Sequence, residues 1–294
     1  MLIHRRYPRG MLIPDSLPPA PEPLPVPVVD AHTHLDATTE RGGVPVPDLV
    51  ALAAQVGVAR VVDVGTDIES SRVAVENART FANVIACVAI HPNDAARLGE
   101  QFDAQLALLE ELITNNTSVV HGIGETGLDY YRTNTSEGRA AQRDAFAAHI
   151  FLAKKYGLPL VIHDRDAHAD ILDVLEAEGA PDRVMMHCFS GDSTFAEQCL
   201  AQGFWLSFPG TVTFKPNEEL REALDVAPLD RILVETDAPY LTPMPYRGKP
   251  NASYLIPHTV RFMAARRGDE LGALCAALHR NAVALFGANG WTDR

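Results

Sequence analysis

From Val26 onward one pattern repeats along the chain: a short run rich in Val and Ile, then a longer stretch whose apolar residues recur at helical spacing. Such runs begin near Val26, Ala59, Asn83, Val119, Leu158, Arg183, Phe204 and Arg231. Eight starts between positions 26 and 231 leave about 29 residues per unit, the size of one strand plus one crossover helix. In the intervening stretches Phe146, Ile150 and Ala153 repeat at i, i+4, i+7. Leu271, Leu274, Leu278 and Leu285 share a stripe that ends at Gly287, a residue suited to closing a helix. Continuously apolar strands are buried on both faces, which implies a parallel sheet. Eight such units close naturally into a (β/α)8 TIM barrel, an α/β fold in a single domain. The competing open, doubly wound sheet would carry a Gly-rich phosphate turn after its first strand. Here that strand ends instead in Asp30-Ala31-His32-Thr33-His34.

The expected division is a Pro-rich arm over residues 1–27, the barrel over 28–288 and a short tail over 289–294. Eight of the 21 prolines fall between residues 8 and 27 and offer no backbone donors, so this segment reads as extended, polyproline-like chain. It either lies over or trails from the domain, or docks a partner. Cys87, Cys188, Cys199 and Cys275 show no C-x-x-C spacing and make no disulfide framework, which fits a reducing cytoplasm. No apolar run approaches the roughly 18 residues of a membrane span. Prolines follow Arg5 and Arg6 where a signal peptide needs an apolar stretch. The expectation is a cytoplasmic protein with no membrane attachment and no obligate protein partner. With 25 basic against 38 acidic residues, the net charge of −13 excludes a protein that holds nucleic acid through a broad basic face. It leaves room for a polyanion bound locally through a metal.

Side chains suited to metals recur at the C-terminal ends of the predicted strands. His32 and His34 close the first, Glu125 the fourth, His163 the fifth, His187 the sixth and Asp237 the eighth. In a barrel these ends share one rim, the face that carries catalytic groups. Residues two apart on a strand face the same way, so the imidazoles of an H-x-H pair can aim at one cation. A lone histidine at a strand end is ordinarily satisfied by core hydrogen bonds; repetition over five strand ends argues for a shared metal centre. Four histidines and two carboxylates exceed the ligand set of one catalytic zinc but suit two ions, with Glu125 as the bridging carboxylate. Zn, Mn, Ni or Fe fit these ligand types, and Mg is a weaker occupant.

The segments D-A-H-T-H-L-D (30–36), G-E-T-G-L-D-Y-Y (124–131), V-I-H-D-R-D-A (161–167), H-C-F-S-G (187–191) and E-T-D-A-P-Y-L (235–241) together resemble the TatD family of metal-dependent hydrolases within the amidohydrolase-like barrels. The resemblance runs from about Val28 to Gly287. It implies phosphodiester hydrolysis of nucleic acid, as a deoxyribonuclease or 3′-to-5′ exonuclease acting on single strands or 3′ ends. It also implies that His32, His34, Glu125 and Asp237 hold one ion while Glu125, His163 and His187 hold the other. Relatives whose bridge is a carboxylated lysine would show Lys where this chain has Glu125. Asn93 stands where the family often has a histidine, and Ser253 replaces a frequent proline.

In this reading a metal-activated hydroxide attacks phosphorus, and Asp237 orients the water and accepts its proton. His91 and Arg165 are candidate substrate contacts; His91 is otherwise a loop-capping histidine. Asp166 is a candidate to hold the outer ring nitrogen of a ligand histidine. Asp36 and Asp129 read equally well as helix caps. Arg132, Arg247 and Lys249 are either solvated charges or a basic rim, and Tyr130, Tyr131 and Phe214 either pack or stack bases. His149 and His279 fall inside predicted helices. The alternative reading keeps the metals and changes the bond to an amide or carboxylic ester, including an aminoacyl ester. A non-catalytic metal scaffold is the remaining class, and an open mouth spread over five strand ends argues against it.

Overall fold

The computed structural model describes residues 17–287, so arm residues 1–16 and residues 288–294, which include the expected tail, lie outside the described residues. Eight strands lie in sequential order in one parallel sheet: β1 (Val28–Thr33), β2 (Val58–Val64), β3 (Val84–Val88), β4 (Val120–Asp129), β5 (Leu160–Arg165), β6 (Val184–Met186), β7 (Trp205–Phe208) and β8 (Ile232–Val234). Helices alternate with them, so the chain is a (β/α)8 TIM barrel, with each strand beginning within two residues of the start read from its Val/Ile run. Single crossover helices are Ile68–Thr80, Ser136–Tyr156, His168–Glu178, Ser193–Ala201 and Glu218–Val226. Two helices each follow β1 (Leu35–Gly42, Val46–Gln55), β3 (Pro92–Leu98, Phe102–Thr114) and β8 (Ile256–Arg267, Leu271–Phe286).

Alternation along the strands sorts the core into two layers. Val61, Val84, Ile162, Met186 and Val234 pack outward against helix residues such as Phe146, Ile150, Leu274 and Leu278. Val62, Ile85, Val161, Met185 and Leu233 fill the barrel interior, plugged by Leu285 and Phe286 of the last helix. Burial of each such side chain contributes roughly 1.5–3 kcal/mol before entropy is counted. This phase decides what reaches the mouth. Two steps on from inward Val161 comes His163, two on from Met185 comes His187, and two and four on from Leu233 come Glu235 and Asp237.

Strand β4 differs from the expectation that it closes at Glu125. It continues to Asp129, because after a register shift between Ile123 and Thr126 it pairs with β5 as far as Asp129 opposite Arg165. Glu125 therefore sits at the irregularity rather than at the end.

Strands β1 and β8 meet at a seam sewn largely by loop residues. The Asp237 N–H donates to the His32 carbonyl at 2.9 Å, and the His34 N–H donates to the Ala238 carbonyl at 2.9 Å. The Thr236 hydroxyl and N–H donate to the buried Asp30 carboxylate at 2.6 and 2.9 Å. Burial pushes the Asp30 carboxyl up to about 7 against the pull of those bonds.

Residues 17–27 lie over the outer layer with Leu17 and Leu24 buried. The Tyr254 hydroxyl donates to the Pro18 carbonyl at 2.7 Å, and the Arg261 guanidinium donates to the carbonyls of Glu22 and Pro23 at 2.9 and 3.0 Å. A proline-rich segment has few donors, and here it is gripped mainly by its acceptors. Among the described residues no helix is long and apolar enough to cross a membrane.

Candidate metal centre

All six predicted ligands converge on a cavity of about 790 Å³ at the barrel mouth: His34, Glu125, His163, His187 and Asp237 line it, and His32 lies just beneath. Glu125 is the hub. Its Oε1 faces His34 Nε2 at 3.4 Å and His32 Nε2 at 3.6 Å, while its Oε2 faces His187 Nε2 at 3.0 Å and His163 Nδ1 at 3.1 Å. Asp237 Oδ1 joins the first group, 3.5 Å from His34 Nε2 and 3.8 Å from His32 Nε2.

Hydrogen bonds on the far side of each ring decide which nitrogen is left to bind. His34 Nδ1 donates to the Val64 carbonyl at 2.8 Å, since a carbonyl can only accept. His187 Nδ1 faces Glu235 Oε1 at 3.3 Å, and His163 Nε2 faces Asp129 Oδ2 at 3.3 Å. In the neutral tautomer these contacts favour, each ring turns a lone pair toward Glu125. Buried His187 Nε2 makes no hydrogen bond of acceptable geometry. Nitrogen lone pairs gathered with carboxylate oxygens are the donor set that a borderline divalent cation requires, so the residues fit a metal centre.

Among the protein groups alone, the carboxylates and the imidazoles hold one another in their charged forms. Burial alone would raise the Glu125 carboxyl, but His187, His91 and His163 overcome it and hold it well below the usual range. Asp237 is likewise lowered, burial being outweighed by His34, His187 and His32. For His187, burial works downward and is overcome by Glu235 and Glu125, which push the imidazole up to about 10.

Around this centre the structure sorts the remaining candidates. His91 caps the helix Pro92–Leu98: its Nδ1 accepts the Asn93 N–H at 3.1 Å. Burial pushes its imidazole down to about 3, so the ring is neutral and carries its proton on Nε2, 3.7 Å from Glu125 Oε2. Capping and facing the site are compatible because they use different nitrogens. Arg165 lines the cavity with its guanidinium 3.9 Å over the ring of Tyr131, a residue 64% exposed.

Asp166 does not hold a ligand histidine. It lies beyond the end of β5 at φ 56, exposed, and the carboxylate that meets His163 is Asp129. Asp129 caps no helix: its Oδ1 accepts the Arg132 N–H at 2.8 Å in the turn after β4, the next helix being capped by Thr135, while Oδ2 serves His163 and Asn93. Asp36 lies inside the first turn of the helix Leu35–Gly42 rather than at its cap, and accepts from the Ala37 N–H at 2.7 Å. Arg132 reaches the cavity; Arg247 lies over buried Phe214 at 4.5 Å and, like Lys249, does not line it. Tyr130 is tied to Asp170 through its hydroxyl.

Glu235 was not among the predicted site residues, although it stands two positions before Asp237 on the same inward phase. It is wholly buried, and besides His187 it takes the Cys188 N–H at 2.8 Å.

The family model described as TatD related DNase matches residues 29–287. An uncharacterized metal-dependent hydrolase, TatD, of Mycobacterium tuberculosis is 47% identical over 270 residues, 90% of this chain and 99% of the relative. Another, YabD of Bacillus subtilis, is 35% identical over 262 residues, covering 88% and 99%. Among solved structures, the TatD homolog YjjV of Escherichia coli K12 superposes with a TM-score of 0.81 at 25% identity, covering 88% of this chain and 97% of that one. With its barrel, its convergent histidines and carboxylates and these matches, the chain belongs to the TatD family of metal-dependent hydrolases.

Proposed function

We propose that this protein is a phosphodiesterase acting on nucleic acid, a TatD-like deoxyribonuclease working from 3′ ends, with two divalent cations in the mouth of the barrel. The observation that carries the reading is the split of Glu125, whose two oxygens face two different donor sets. His32, His34 and Asp237 with Oε1 would hold one cation; His163 and His187 with Oε2 would hold the other. Bound there, such cations lower the pKa of an attacking water and neutralise charge on phosphoryl oxygens.

The chain's own groups supply the rest. Asp237 Oδ1 accepts the proton of the attacking water, its carboxyl being held in the ionised form. His91 presents an Nε2–H donor to a phosphoryl oxygen. At the rim, exposed Tyr131 under Arg165 and half-exposed Tyr240 near Arg41 offer aromatic faces with cations beside them, which suits unstacked bases of a single strand.

The test is an assay of the metal-loaded protein on 3′-labelled single-stranded DNA, a chromogenic phosphodiester and a panel of amides and carboxylic esters, each repeated with Glu125→Ala. Metal-dependent cleavage of the phosphodiesters, abolished in the variant, is the expected result. Cleavage confined to amides or esters would overturn it.

A further inference from the structure

A second cavity, about 500 Å³, opens beside the first and shares Asn93, Arg97 and Arg132 with it; Ala96, Thr133, Asn134, Thr135 and Gly138 complete its wall. The two differ sharply in charge. Seven carboxylates, Glu125 and Asp237 among them, line the first cavity, where cations must offset them. None lines the second, although the chain as a whole carries −13. An anion there meets two guanidinium groups and neutral amides and hydroxyls.

The arginines are available to it. Arg132 has no carboxylate partner among the described residues, while Arg97 faces Asp94 at 3.6 Å in a solvent-exposed pair of the kind that contributes little. The backbone of Arg132 is fixed by Asp129 Oδ1, and Asn93 holds Asp129 Oδ2, the same oxygen that meets His163. One carboxylate therefore ties the wall of the second cavity to the metal centre. The volume is that of a small-molecule site, roughly 300–1,000 Å³.

We propose that this cavity binds the phosphate adjacent to the scissile one, with Arg97 and Arg132 as its cationic contacts; the proposal rests on the phosphodiesterase reading above. Guanidinium groups suit phosphate because their donors match its oxygens in pairs. The protein then acts on strands that carry a second phosphate in preference to isolated diesters.

The experiment compares kcat/KM for TpT, pTpT and TpTp, which place the second phosphate on neither, one or the other side. It uses the metal-loaded wild type and the Arg97→Ala/Arg132→Ala variant. The wild type should prefer pTpT or TpTp over TpT by roughly tenfold or more, and the variant should bring that ratio to about one. In parallel, fluorescence anisotropy of labelled (dT)6 on metal-free protein should show a salt slope shallower by roughly 0.7 for each arginine replaced. Arg97→Lys/Arg132→Lys keeps the charges, so it should retain the salt slope and forfeit part of the preference. An alanine variant that keeps both the wild-type preference and the wild-type slope overturns the proposal, as does a wild type indifferent to the second phosphate. If the wild type cleaves none of the dinucleotides, the phosphodiesterase reading fails, and the anisotropy decides the cavity alone.

Discussion

Oε1 of Glu235 lies 3.3 Å from Nδ1 of His187 at a point where neither side chain meets solvent to any useful degree. In the neutral ring that a cation requires, that carboxylate fixes which imidazole nitrogen carries the proton, and so which one turns its lone pair toward Glu125. Glu235→Gln keeps the volume, removes the charge and adds a donor that competes for the wrong tautomer. Affinity for a divalent cation should fall by about 10- to 100-fold, read by metal titration. Unchanged affinity would show that Glu235 only fills space.

Removing Glu125 and removing Asp237 should fail in different ways. Glu125→Ala takes a ligand from both donor groups, so elemental analysis should find both cations depleted. Asp237→Ala leaves His32, His34 and Glu125 in place. It should retain most of its metal while kcat drops by about a hundredfold or more, the usual weight of a proton acceptor. Near-normal turnover in Asp237→Ala would remove the assignment of the base.

Gly127 stands at φ 132 between Glu125 and Asp129, and a Cβ built there runs into the carbonyl oxygen of His163. Gly127→Ala should therefore push β4 off β5 at the height of the centre. The expected outcome is loss of metal binding with a lowered Tm, measured by titration and thermal melting; wild-type affinity in a folded variant would contradict it.

His149 is buried in the helix Ser136–Tyr156, donating from Nδ1 to the Ala145 carbonyl and accepting the Ile90 N–H at Nε2. Burial pushes its imidazole down to about 4, from 6.5 in the unfolded chain. Above 6.5 both states are neutral. Between 6.5 and 4 the unfolded chain takes up a proton that the fold excludes, so stability falls as pH falls, by about 2 kcal/mol at pH 5. Melting of the wild type and His149→Gln at pH 7.5 and pH 5 tests this, other groups being common to both. The wild type should lose more on acidification; parallel losses would refute it.

The eight strands were legible because β-branched runs spaced by one helix leave few other folds, and the convergence of the candidate ligands because they fall on inward phases at one rim. Glu235 and Asp129 were less legible. A carboxylate behind a histidine has no spacing rule of its own, since its partner lies on a different strand: His187 is 48 residues from Glu235, and His163 is 34 from Asp129. Asp166 misled for the opposite reason. It is three residues from His163 in sequence, yet a left-handed turn after β5 carries it into solvent. The continuation of β4 past Glu125 was hidden because it depends on a register shift set by β5.

The seam between the first and last strands has a consequence in time. His32 and His34 belong to the earliest part of the barrel to be synthesised, whereas Asp237 follows β8, and the bond from Thr236 to Asp30 joins residues 206 apart. A growing chain that has made seven strands holds most of the candidate ligands and none of the closure. Docking of the last strand would complete the ring and the candidate ligand set in one event, so full metal capture would mark a finished barrel.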